Sequence, residues 1–181
     1  MITRLSSAGE IKQYRRSLAR MYISCFAEPP WNEVFTEAEV EKWFDEMLGY
    51  SKNIVLVFEN GEGSIDGATF NFPVVFKGDI LEFLPAGFSP DKVCYLAEMF
   101  VNPKKRRAGI AKQLHQERLR IAGAEGFRAA IHRTNFSSKM FPLVMNTGFR
   151  VIGRQEVASL KNIGGEILEA VDERAISFKR L

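Results

Sequence analysis

Val101-Asn-Pro-Lys-Lys-Arg-Arg-Ala-Gly-Ile-Ala111 follows directly on the apolar run Val93-Cys-Tyr-Leu-Ala-Glu-Met-Phe100. The near-continuous apolar pattern of 93–101 predicts a strand buried on both faces, and Pro103 closes it. A basic loop comes next, and a helix opens through Ala108, Gly109, Ile110 and Ala111. This turn aims several backbone N–H groups and the positive end of a helix at one place. Lys104, Lys105, Arg106, Arg107 and Lys112 ring that place with charge. A phosphate or pyrophosphate is the ligand such a site suits. Gly109 matters because a side chain there would block the approach of the ligand to the backbone.

Working outward, the helix after the loop carries Ile110, Leu114 and Ile121 on one face and ends near Gly123. Phe127–His132 reads as a strand, and a short helix lies within Ser138–Thr147, closed by Gly148. Phe149–Val157 and Arg174–Leu181 read as the last strands, with a turn at Gly164-Gly165. Upstream, Ser7-Ala-Gly-Glu10 reads as a capping box opening a helix that presents Ile11, Tyr14, Leu18, Met21 and Cys25 and stops at Pro29-Pro30. A second capping box, Thr36-Glu-Ala-Glu39, starts a helix with Val40, Trp43, Phe44 and Met47 on one face. Ile54–Glu59 and Ile65–Phe72 flank a glycine-bearing turn and predict a hairpin. The segment 73–92 carries Pro73, Pro85 and Pro90 with Phe76, Phe83, Leu84 and Phe88, and a connection of that length in a compact domain points to function.

Composition bounds the reading. The 181 residues, 46% hydrophobic and 26% charged, suit one folded domain spanning 1–181. No apolar run approaches the length of a membrane helix, and the start lacks a signal-peptide apolar region. Cys25 and Cys94 sit in apolar patterns away from any metal or disulfide spacing, so a reducing cytoplasm is expected and no metal site. The net charge of +3 comes partly from the cluster at 104–107, a local feature, which argues against nucleic-acid binding.

The order helix, helix, hairpin, long strand, glycine-opened helix, strand, helix, strand, strand, together with Arg106-Arg107-Ala108-Gly109-Ile110-Ala111, resembles the GCN5-related N-acetyltransferase (GNAT) family. The family's acyl-CoA signature, Gln/Arg-x-x-Gly-x-Gly/Ala, is matched at all three defined positions. The likeness is sharpest over about 93–152. It implies an α/β fold of the mixed α+β kind. Its central sheet is mostly antiparallel and flanked by helices, and its fourth and fifth strands splay apart. It also implies acetyl-CoA as co-substrate, no metal, no nucleic acid or membrane partner, and a homodimer as family members often form. On this resemblance Met99, Phe100 and Val101 would pair with the pantetheine arm. Arg106, Arg107, Ala108, Gly109, Ile110, Ala111 and Lys112 would hold the pyrophosphate, and Asn135 would add a pantetheine contact.

The implied reaction is direct transfer of an acetyl group from the thioester to a primary amine of a small molecule or peptide. A protonated amine is no nucleophile, so a group must accept its proton. Glu98 is the best-placed carboxylate, and burial would raise its pKa toward the useful range. Strand alternation puts it on one face with Leu96 and Phe100, unless a bulge shifts the phase. For the acceptor, Trp31, Phe72, Phe76 and Phe83 are read as an aromatic lining, and Glu28 and Glu33 as attractors of the cationic amine. Family members often carry a Tyr four residues before the Gly-Phe pair; here Val144 stands there and no Tyr follows Tyr95. That departure supports a rival, an acyl-CoA-binding protein of the same fold without turnover. Cys94 reads as a core thiol, His115 as solvated on a polar helix face, and His132 as a neighbour of the site.

Overall fold

The strand foreseen at 93–101 lies at the centre of a seven-stranded sheet. A computed structural model describes residues 1–5, 8–61 and 63–181. Its strands are β1 (Ile2–Leu5), β2 (Ile54–Glu59), β3 (Ile65–Pro73), β4 (Val93–Val101), β5 (Ala129–Asn135), β6 (Arg150–Ile163) and β7 (Glu166–Arg180). They are ordered β1-β2-β3-β4-β5-β7-β6, and every neighbouring pair is antiparallel except β4–β5. The helices are α1 (Ala8–Lys12), α2 (Arg15–Phe26), α3 (Glu37–Gly49), α4 (Gly78–Leu81), α5 (Ile110–Ala124) and α6 (Met140–Met145). Among the described residues no helix is long and apolar enough to cross a membrane.

Each face of the sheet buries its own core. Leu18, Tyr22, Val40, Phe44 and Met47 of α2 and α3 pack on Val55, Val57, Phe70 and Phe100. On the other face Ile110, Leu114 and Ile121 of α5 cover Ile54, Leu56, Cys94, Leu96 and Ala130. Burying side chains of this size stabilises by about 1.5–3 kcal/mol each. Gly67 sets the depth of α5: a Cβ there would meet Ile110, Leu114 and the Phe100 carbonyl at 3.1–3.2 Å.

Two features of β4 make the cleft. First, β4 and β5 pair only over Val93–Leu96 and Ala129–His132. Beyond that point β4 runs on to Val101 and β5 to Asn135 without pairing to each other, so residues 97–101 leave the edge facing β5 free. Second, the register against β3 slips at that same point, with Phe70 opposite Glu98 and Asn71 opposite Leu96. Ala97 is the extra residue of a bulge. The bulge overturns the expected phase: Glu98 shares a face with Phe100 and Phe70, while Leu96 turns to the α5 side.

Other expectations are refined. The capping box at Thr36 is present in both halves, Thr36 Oγ1 accepting from the Glu39 N–H and Glu39 Oε2 from the Thr36 N–H. The box read at Ser7 lies outside the described residues. The first helix is interrupted by a turn at 13–14, where Tyr14 N–H donates to the Ile11 carbonyl, and β1 precedes it. Segment 73–92 folds into short helical turns held to the core by Val74 and Ile80. The last two strands are longer than foreseen. They run as a two-stranded ribbon to a turn at Gly164 (φ 65°) and Gly165 (φ 96°), the left-handed pair that a tight hairpin requires.

Candidate active site

The loop from Asn102 to Gly109 is shaped to present N–H groups. Asn102 caps a 3-10 turn over Pro103–Lys105, its Oδ1 accepting from Lys104 N–H at 3.1 Å. Arg107 (φ 68°) and Gly109 (φ 78°) then both take left-handed backbone. Alternating hands in successive residues turn neighbouring N–H groups to one side, the geometry of an anion nest. Helix α5 opens at Ile110 with Gly109 as its N-cap and no side chain satisfying its first N–H groups. At Arg107 a non-glycine residue holds this conformation, a local strain of about 1–3 kcal/mol. Among the described residues Lys104, Lys105, Arg107 and Lys112 make no ion pair, whereas Arg106 pairs with Glu28.

A cavity of about 660 Å³ extends from this loop along β4. Met99, Phe100, Val101, Arg106, Arg107, Gly109, Ile110, Ala111 and Lys112 line it, with Glu28 to Trp31 opposite and Ser137 to Met140 at one side. Thus nine of the eleven residues assigned to the cofactor come together on one wall. Ala108 lies within the same loop without facing the cavity. Asn135 does not line it either; its Oδ1 accepts from Ser137 N–H at 2.9 Å and so shapes the loop that does. Cys25 also lines it, its thiol donating to the Val101 carbonyl at 3.2 Å.

A second cavity, of about 210 Å³, lies on the α2 side of the splayed strands. Phe26, Trp31, Met99 and Met140 border both cavities, so the two meet at the free edge of β4. Glu98 lines the smaller one. Its carboxyl is pushed up to about 8, first by desolvation and then by the nearby Glu33, with Arg133 and Arg174 opposing. The buried Tyr22 phenol lies against it and is itself raised well above its usual value, by burial first and by Glu98 next. The Glu98 backbone is tied down, its carbonyl accepting from Thr69 Oγ1 at 2.7 Å.

Of the residues read as acceptor lining, Trp31 and Glu33 reach this cavity. Phe72 and Phe76 lie elsewhere: Phe72 is buried between Tyr50 and Tyr95, and Phe76 stacks on Tyr50 at 4.4 Å near the surface. Glu28 is engaged by Arg106 on the larger cavity. Glu33 is only 5% exposed and bonds Arg174 Nη2 at 2.5 Å. Neither carboxylate is therefore a free attractor.

The smaller cavity also holds His132, read from the sequence as a neighbour of the site, and further residues that the sequence did not mark. Tyr22, Tyr95, Arg133, Ser159 and Arg174 come from five elements spread over 22–174. His132 is held neutral, its pKa lowered to about 3 by burial and then by Arg118 and Arg133. His115 corrects the expectation of a solvated residue, for it is fully buried and lowered to about 2. It shares a buried network on the α5 side in which Arg118 Nε donates to His115 Nδ1 at 3.1 Å and Arg118 Nη1 to Thr69 Oγ1 at 3.2 Å. Cys94 is buried and pushed up to about 12 by desolvation, the state of a core thiol. Val144 is buried in α6, and among the described residues no group of three or more His, Cys, Asp or Glu is placed to hold a metal.

The chain is thus an α/β protein with a mixed sheet, one parallel strand pair, and two adjoining cavities, one at an anion nest and one at a raised carboxyl. The family model described as Acetyltransferase (GNAT) family matches residues 21–141. The chain belongs to that family. The fold is shared with the ribosomal-protein-alanine N-acetyltransferase of Brucella melitensis (TM-score 0.70, 18% identity, 100% of this chain and 99% of that one). It is shared also with a GNAT superfamily phosphinothricin acetyltransferase from Sinorhizobium meliloti in complex with AcCoA (0.69, 17%, 100% and 88%). A third is yncA of Salmonella typhimurium, solved with its cofactor acetyl-CoA (0.66, 14%, 100% and 94%). No curated protein matches the sequence.

Proposed function

We propose that this chain, as a single domain over 1–181, transfers the acetyl group of acetyl-CoA to a primary amine of a small molecule or peptide in a ternary complex. One observation carries the reading: the anion nest and Glu98 open onto two cavities that meet at Met99. The larger cavity fits the co-substrate on its own features. Gly109 leaves its backbone bare, with only Gln113 within 4 Å of where a Cβ would stand. Unpaired cations surround it, and the free edge of β4 is open to an extended arm that pairs as an added strand does. Acetyl-CoA supplies an acetyl group activated as a thioester.

The residues divide the work. The N–H groups of 107–111 and the side chains of Arg106, Arg107 and Lys112 bind the pyrophosphate. Met99, Phe100 and Val101 orient the arm. Glu98 accepts the ammonium proton, and its raised pKa suits a base that must release that proton again near neutrality. Asn135 serves through the Ser137 loop. Leu160, Ile163, Ile167 and Val171 are 49–61% exposed on the ribbon, an apolar surface that suits a homodimer.

A second reading, acyl-CoA binding without turnover, is favoured by Val144, since α6 offers no phenol to the leaving thiolate. A thiol-release screen of primary amines with acetyl-CoA separates the two. Release above the no-amine rate supports transfer. Thermal stabilisation by acetyl-CoA with no release from any amine supports the second reading.

A further inference from the structure

The smaller cavity contains polar atoms with nothing to bond. Arg174 Nε, His132 Nδ1 and Ser159 Oγ are each buried without a hydrogen-bond partner, and all three residues line it. His132 is 5% exposed. A buried donor left unmade costs about 1–3 kcal/mol, so three around one space mark groups awaiting a ligand.

The charges there are otherwise matched. Lys161 pairs with Asp172, and Arg174 bonds Glu33 at 2.5 Å and approaches Asp172 at 3.7 Å. Arg133 pairs with Asp79 at 2.6 Å. An acceptor bearing only positive charge would thus meet two guanidiniums and no carboxylate free of a cation except Glu98. An oxyanion, by contrast, would accept from the Arg174 Nε–H and the Ser159 hydroxyl. The Arg174 guanidinium is held in place on the opposite side, 5.1 Å from the Trp31 ring centroid. Phe35, Trp43, Trp31 and Tyr95 make the rest of the wall aromatic. The volume, about 210 Å³ against 660 Å³ for the larger cavity, suits a small molecule.

We infer that the acceptor is a small zwitterion of amino-acid type with an apolar side chain, its carboxylate held by Arg174 and Ser159 and its amine turned to Glu98. The inference rests on the acetyltransferase reading above and narrows its acceptor. The reaction forms an N–C amide bond and breaks the C–S bond of the thioester; one ammonium proton goes to the Glu98 carboxylate and one to the departing thiolate, which leaves as the thiol.

The test uses the full chain with matched pairs: apolar L-amino acids, their methyl esters, and the corresponding decarboxylated amines. Turnover with acetyl-CoA is read by thiol release, and binding by calorimetry in the presence of CoA. The free acid should exceed ester and amine by about 10- to 100-fold in kcat/KM, the size of a charge-assisted hydrogen bond. Arg174→Lys and Ser159→Ala should remove most of that preference, chiefly through KM, while thermal stabilisation by acetyl-CoA stays unchanged. Esters or simple amines used as well as the acid would overturn the inference and leave acetyl transfer standing. Acid binding to CoA-loaded protein with no thiol release would sustain the pocket assignment and overturn the transfer reading. Neither binding nor turnover of any acid in the panel would overturn the inference.

Discussion

Replacing Glu98 by Gln should make the protein more stable and less active, with the stability gain appearing only at high pH. The wild-type carboxyl titrates near 8 instead of 4.5, because burial and Glu33 disfavour its charge. Between those values the folded chain binds a proton that the unfolded chain has released. Stability therefore falls as pH rises through this window and levels off above about 8. A difference of about 3.5 pH units at 1.36 kcal/mol each sets an upper bound of about 5 kcal/mol. The carboxyl is only partly covered, since one side faces the open cavity, and water there reduces the effect to about 2–3 kcal/mol. Gln resembles protonated Glu in shape and never charges. Glu98→Gln should thus match wild type in Tm at about pH 5, and exceed it by about 4–10 °C at about pH 9. Calorimetric scans of both proteins without ligand, in matched ionic strength, measure this directly. In the same variant kcat/KM should fall by about 10²–10⁴ and lose the limb that rises through pH 8. A Tm difference that is equal at both pH values would refute the claim that the cleft disfavours the charged form of Glu98.

Three further outcomes follow from packing and backbone. Gly109→Trp should abolish thermal stabilisation by acetyl-CoA, since the indole would occupy the nest, while the left-handed φ of 78° adds about 1–2 kcal/mol of destabilisation; a calorimetric Kd unchanged from wild type would reject this nest as the phosphate site. Gly153→Ala should destabilise by about 1–3 kcal/mol in urea unfolding, because its Cβ would stand 2.5 Å from the Phe83 ring, and Phe83→Leu should restore much of that loss. Arg118→Leu should cost about 2–4 kcal/mol by the same measurement, as His115 Nδ1 and Asn71 Oδ1 lose a buried donor; a variant as stable as wild type would show the buried guanidinium to be dispensable.

What the sequence made legible was local. The strand, proline, basic loop and glycine-opened helix lie within nineteen consecutive residues, 93–111, and nearly all the residues assigned to the larger cavity do reach it. The bulge at Ala97 was not legible, because a strand apolar at almost every position has no alternation from which a phase can be read. The smaller cavity was hidden for another reason. Tyr22, Arg133 and Arg174 meet there only through tertiary structure, and in sequence each looks like an ordinary surface or helix residue. Phe72 and Phe76 misled because aromatic character says that a side chain will be packed, not against what. His115 looked solvated because Arg118, three residues on, reads as a polar helix face; both turn inward and satisfy each other.

The ribbon formed by β6 and β7 has a further consequence. It reaches over to the α2–α3 loop through the Glu33–Lys161 bridge and the Val34 N–H to Leu160 carbonyl bond, and contributes Val157, Ser159 and Arg174 to the smaller cavity. It contributes nothing to the lining of the larger one. On the proposed reading, recognition of the acceptor then draws on a part of the chain that recognition of the co-substrate does not use. Altering inward-facing ribbon positions offers a route to a different clientele while the machinery for the common co-substrate is left as it stands. A graft of this hairpin, rather than a change in the loop after β4, is where an engineer should begin.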